Sequence, residues 1–196
     1  MKPTEKQYPI YFMELRDGEI QYGLNDVALV DKPAYETMFL KFKDDTANVK
    51  FAVQNEEERI INGPVMIPDK LVARMEKGQP FFVAATRETI FAASQKFARE
   101  NRNNNIKLTH DTENNTEDVF IFQSFVTDER WIDKVVGFED QPLGTWYITC
   151  KVLSDKVWEQ IKAGTFNGFS LEALFKMKPV TVLNESDLKQ VLEAIG

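Results

Sequence analysis

Apolar and polar residues alternate in several short runs along this chain, and a few longer stretches repeat at helical spacing. Alternation with a period of two argues for strands. Apolar positions three and four apart argue for an amphipathic helix. Strands are predicted over residues 8–15, over 27–33 up to Pro33, over 37–42 and over 49–53, with a hairpin signal at Asp17-Gly18. Residues 59–66 read as a strand bent at Gly63-Pro64. Pro68 sits where a first helical turn tolerates proline, so 69–76 reads as a short helix ended by Gly78. A brief strand follows at 81–84. Thr86 can then cap a helix over 87–100, with Ile90, Phe91, Ser94, Phe97 and Ala98 on one core-facing stripe.

The second half begins with a polar, asparagine-rich stretch, 101–118. Its one apolar interruption, Ile106-Lys107-Leu108, anchors an extended segment that holds Thr109-His110-Asp111 in place. The run 119–126 is a strand, with Val119, Ile121, Gln123 and Phe125 on one face and Phe120, Phe122, Ser124 and Val126 on the other. After a long loop, 128–144, comes the strand 146–153, in which Trp146, Ile148, Cys150 and Val152 share a face. Cys150 therefore reads as a small buried hydrophobe. Ser154 caps the clearest helix, whose Val157, Trp158 and Ile161 turn inward and which Gly164 ends. The run 169–177 is the next strand, and 186–195 is a short amphipathic helix. The class is α+β, a mainly antiparallel sheet or barrel with a few helices. One domain is expected over 1–180, with a short C-terminal amphipathic helix within 181–196.

Composition narrows the chemistry. The chain has 196 residues, enough for one domain, and its 43% of hydrophobic residues with fifteen Phe can fill a sizeable core. No apolar run reaches the roughly 18 residues of a membrane span, and the N-terminus has no apolar signal-peptide core, so a soluble, intracellular protein is expected. A net charge of −7 argues against nucleic acid or an anionic membrane as partner. One cysteine excludes an internal disulfide, and one histidine beside it cannot make the usual zinc site. No cofactor or metal is expected. Self-association is left open.

Gly164–Glu172, centred on Ser170, is a tight turn feeding a strand. A serine nucleophile needs a general base, usually a histidine, and His110 is the single histidine of the chain. The sequence has Asn167-Gly-Phe-Ser-Leu-Glu-Ala173 in place of the Gly-x-Ser-x-Gly elbow of an α/β-hydrolase.

Several pieces in order resemble the XkdF-like phage serine proteases: Gly63-Pro-Val-Met-Ile-Pro68, His110-Asp111, Phe122-Gln-Ser-Phe-Val-Thr-Asp128, Gly144-Thr-Trp146, Val157-Trp-Glu-Gln-Ile-Lys-Ala-Gly164 and Gly168-Phe-Ser-Leu-Glu172. Ala28-Leu-Val-Asp-Lys-Pro-Ala34 is similar to their N-terminal region, and the likeness spans about 23–176. The wider group comprises phage prohead proteases and herpesvirus assemblins. The resemblance implies a closed β-barrel surrounded by helices. It also implies an endopeptidase cutting scaffold and capsid proteins within the assembling prohead, in the host cytoplasm. By that resemblance Ser170 is the nucleophile and His110 the base. Herpesvirus enzymes add a second histidine, which this chain lacks. Phage relatives place an acid on the strand after the histidine, where Gln123 stands here. A glutamine can hold the imidazole tautomer but cannot neutralise imidazolium. Asp111, Asp128 and Glu172 are the other candidates for the third member. The competing readings are a non-catalytic assembly protein on the same fold, which Gln123 favours, and a serine hydrolase of another fold.

Overall fold

The computed structural model describes residues 7–15, 22–30, 52–55, 58–77, 79–109 and 116–184. The strand expected at 37–42, the turn at Asp17-Gly18, the tail helix at 186–195, and His110 with Asp111 lie outside the described residues. Among the described residues, the chain runs β1 (Gln7–Glu14), β2 (Gly23–Val30), β3 (Ala52–Asn55), β4 (Ile60–Met66), β5 (Val72–Glu76), β6 (Gln79–Ala84), α1 (Arg87–Arg99), β7 (Ile106–Leu108), β8 (Val119–Val126), β9 (Trp146–Val152), α2 (Asp155–Lys162), β10 (Gly168–Leu174) and β11 (Lys176–Asn184). The class is α+β, mostly strands with two helices.

The described strands form three sheets, ordered β11-β1-β6-β5, β10-β2-β7 and β3-β4-β9-β8. Pairing is antiparallel except between β1 and β6 and between β2 and β7. No closed barrel is found among the described residues. The main core lies where the second and third sheets meet the two helices. Leu29 and Phe169 from one sheet, Trp146 and Ile148 from another, Ile90 and Phe97 of α1, and Trp158 and Ile161 of α2 are all buried in it. Phe97 meets Trp146 edge to face, with ring centroids 5.4 Å apart, a geometry worth about 0.5–1.5 kcal/mol beyond area burial.

Both helices begin where the sequence places their caps. Thr86 Oγ1 accepts from the Thr89 N–H, and Ser154 Oγ accepts from the Val157 N–H. Along α1 the buried residues are Ile90, Ala93 and Phe97, while Phe91 is exposed, so the inward stripe is narrower than expected.

Two elements differ from the sequence reading. Residues 69–76 are not a helix: Asp69 has φ 58, which breaks the helical path, and Val72–Glu76 pairs antiparallel with β6. Glu76 faces Gln79 across a two-residue hairpin loop whose first residue, Lys77, has φ 49, as such loops require. Gly78, expected to end that helix, lies outside the described residues. The run 169–177 is likewise not one strand. It breaks at Phe175, buried in the core, and β11 leaves for another sheet, where it pairs with β1 and runs past residue 180. Pro179 is accommodated because β11 is an edge strand of its described sheet, with a register shift beside it.

Candidate active site

The turn that delivers Ser170 is built from α2 outward. Gly164, at φ 75, takes the left-handed position after the helix. The Thr165 N–H donates back to the Gln160 carbonyl and the Gly164 N–H to that of Ile161, which satisfies the last carbonyls of α2. Asn167 Nδ2 donates to the Gly164 carbonyl, and the Asn167 N–H to that of Val30, which docks the chain on β2. β10 then starts at Gly168.

Across the sheet Ser170 pairs with Ala28, and Ala28 pairs with Lys107 of β7. Residues in one such row share a face, so Ser170, Ala28 and Lys107 project together. The alternate residues take the opposite face: Phe169, Val27, Leu29 and Ile106 are buried in the main core, and Leu171 and Leu108 are half-buried against it. Ser170 is 7% exposed. Two strand spacings place its Cα about 10 Å from that of Lys107.

β7 leads directly to the histidine. The Thr109 N–H donates to the Leu29 carbonyl, which closes the β2–β7 pairing one residue before His110. Thr109 has φ 74, an uncommon conformation for a β-branched residue and one that clusters at functional sites. The chain returns to the same place, because the Thr116 N–H donates to the Ile106 carbonyl at 2.7 Å. Thr109 and Thr116, the described residues on either side of His110 and Asp111 in sequence, are therefore both bonded to the sheet that carries Ser170.

The polar face of this sheet also holds an ion cluster. Lys107 Nζ lies 2.7 Å from Glu172 Oε2 and 3.5 Å from Asp26 Oδ2. The hydrogen bond to Glu172, with the charge of Asp26, raises the Lys107 ammonium above its ordinary pKa. Glu172 shares the face of Ser170, as its spacing of two implies. Lys107 and Asp26 are absent from the sequence-derived candidates. The available signal was a lysine between Ile106 and Leu108, which must point away from the core if those two point into it. The parallel pairing that brings it beside Glu172 leaves no mark in the sequence.

Gln123 and Asp128 come from the third sheet and the loop that follows it. Gln123 is exposed in the third sheet. The register of β8 against β9 shifts between Ile121 and Gln123, so Phe122 is an extra residue and the faces exchange there. Ile121 faces Cys150 and Ser124 faces Ile148 on the core side, where Ser124 Oγ accepts from Trp146 Nε1 at 2.9 Å. Gln123 faces Thr149 on the other side. The expected face of Val119, Ile121, Gln123 and Phe125 is corrected by this bulge. Asp128 opens the loop after β8 and is gripped by Arg130 Nε and Nη2, each at 2.7 Å, with Arg87 Nη2 at 3.5 Å. The side-chain bonds from Arg130, with its backbone N–H, hold the Asp128 carboxyl far below the usual range. Cys150 is buried, and burial pushes its thiol well above the ordinary value. Among the described residues, no group of three His, Cys, Asp or Glu could hold a metal ion, and no helix is long and apolar enough to cross a membrane.

Beyond β10 lies an open groove of about 960 Å³, lined in part by Tyr8, Tyr11, Phe81, Leu174, Phe175 and Met177.

The family described as "Putative phage serine protease XkdF" matches residues 48–178. The chain is similar to the phage-like element PBSX protein XkdF of Bacillus subtilis (strain 168), with 29% identity over 165 residues. That alignment covers 81% of this chain and 53% of the relative, so the chain spans about half the length of the curated protein it matches. No solved structure matches the chain.

Proposed function

The chain belongs to the phage serine protease XkdF family, and on that premise we propose that it is a serine endopeptidase with Ser170 as nucleophile and His110 as general base. The observation that supports this best is the row Ser170–Ala28–Lys107, in which the strand beside the serine's partner runs directly into Thr109-His110. His110 takes the proton from Ser170 Oγ as that oxygen attacks the scissile carbonyl. The tetrahedral oxyanion collapses, the amine leaves with the proton carried by His110, and water then hydrolyses the acyl-enzyme by the same route in reverse. The third member is drawn from Asp111, Gln123, Asp128 and Glu172. The substrates in this reading are phage scaffold and major capsid proteins, cut inside the prohead in the host cytoplasm. The same reading carries the expectation that the sheets curl into a closed barrel.

A second reading, an assembly protein with weak or no catalysis, is favoured by one feature. The carboxylates of Asp128 and Glu172 are each held by a cation, and Gln123 brings no charge.

Incubating the purified chain with its scaffold and capsid proteins separates the two. Cleavage by the wild type that is lost in both Ser170→Ala and His110→Ala supports the protease. Cleavage retained by Ser170→Ala removes the nucleophile assignment, and stable binding without cleavage supports the assembly protein.

A further inference from the structure

We propose that Lys107, bridging to Glu172 and Asp26, is a positioning residue that sets the strand leading to His110 at a fixed distance from the strand bearing Ser170. This inference rests on the serine protease reading. Each of the three strands of the sheet contributes one member: Asp26 from β2, Lys107 from β7 and Glu172 from β10. Ala28, fully buried between Lys107 and Ser170, offers only a methyl group, so the lysine stem can cross β2 and reach the far strand.

The position in sequence gives the bridge its consequence. Lys107 precedes His110 by three residues, and Glu172 follows Ser170 by two. β7 is only three residues long and pairs with β2 alone within its described sheet. Short parallel pairing holds it weakly against sliding. The Lys107–Glu172 bond at 2.7 Å is a direct tie, among the described residues, from β7 to β10. Its Lys107 side chain is 14% exposed and that of Glu172 31%. Partial shielding makes such a bond geometrically demanding, and a charge-assisted hydrogen bond is directional. A displacement of about 1 Å between base and nucleophile can cost about a hundredfold in rate. In this inference Glu172 acts on the reaction through Lys107.

The test combines Lys107→Met, Lys107→Arg, Glu172→Gln and the double variant Lys107→Met/Glu172→Gln. Each is measured for kcat and KM on a scaffold-derived peptide, for the rate at which a fluorophosphonate labels Ser170, and for thermal unfolding. Lys107→Met should lower kcat about tenfold to a hundredfold with KM within about twofold, and should slow labelling in the same proportion. Lys107→Arg should recover most of the rate. The double variant should be no slower than Lys107→Met, because with the lysine gone the change at Glu172 has no bond left to weaken. Where Lys107→Met does not fold, Glu172→Gln keeps the lysine in place, removes the charge from the acceptor and so weakens the bond, and gives the same comparison at smaller size. An unchanged kcat in Lys107→Met overturns the inference. So does a loss that merely tracks the folded fraction. Loss in Glu172→Gln without loss in Lys107→Met also overturns it and gives Glu172 a direct role. If the wild type itself neither labels at Ser170 nor cleaves, the protease reading fails and this inference falls with it.

Discussion

Ser170 lies between Phe169 and Leu171, whose side chains enter the core, so its hydroxyl belongs to the opposite, polar face of the sheet. Ser170→Ala should lower cleavage by more than about a thousandfold, on the scale of other serine nucleophiles. It should leave the circular dichroism spectrum and melting curve near those of the wild type, since one hydroxyl is removed and no packing is lost. Retained cleavage would reject the assignment. Gln123→Glu should leave the cleavage rate within about threefold, because the new carboxylate would stand in solvent on another sheet, where surface changes are nearly neutral. A clear gain, with Asp111→Asn, Asp128→Asn and Glu172→Gln all silent, would restore Gln123 as the orienting position. Residue facing was legible where a strand is regular, as at Ser170 and Glu172. It was not legible at Gln123, because the extra residue at Phe122 reverses the alternation and nothing in Ile121-Phe122-Gln123 announces a bulge.

Elements were most legible where local chemistry ends them. Ser154, Asp155 and Gly164 mark α2, and its cap and left-handed exit follow those residues. Ser154→Ala should cost about 1 kcal/mol through the lost bond to the Val157 N–H. Gly164→Ala should cost about 1–2 kcal/mol, because a Cβ is disfavoured at φ 75. Urea unfolding of the two variants checks both values, and an unperturbed midpoint in Gly164→Ala would contradict the turn that leads to Ser170. Where the same residues serve two elements, local reading failed. Pro68 and Gly78 fit the start and end of a helix in sequence, yet Val72–Glu76 is a strand, and it is the pairing of β5 with β6 that decides. At Phe175 the apolar pattern runs on through a corner between two sheets.

At the scale of the whole molecule, which strands adjoin was not legible. Parallel pairing of β2 with β7 joins residues about eighty apart in sequence, and no turn signal connects them. One long-range tie gives a pH signature. Asp128 joins Arg130 and, through Arg87, the start of α1. Its folded pKa is depressed below the unfolded value near 3.9. The stability it contributes is therefore fully present above about pH 4 and fades as pH falls through the folded value. Asp128→Asn should lower the urea midpoint at pH 7, and the gap to wild type should narrow at pH 3. A gap independent of pH would reject the ion pair as its source. The central claim is that this sheet brings His110 to Ser170. It is tested most directly by locating, by mass spectrometry, the residue that a fluorophosphonate modifies. The account predicts a single adduct on Ser170 in the wild type, with labelling lost in His110→Ala. Labelling of Ser170 that survives His110→Ala, or cleaving enzyme in which Ser170 stays unmodified, would contradict it.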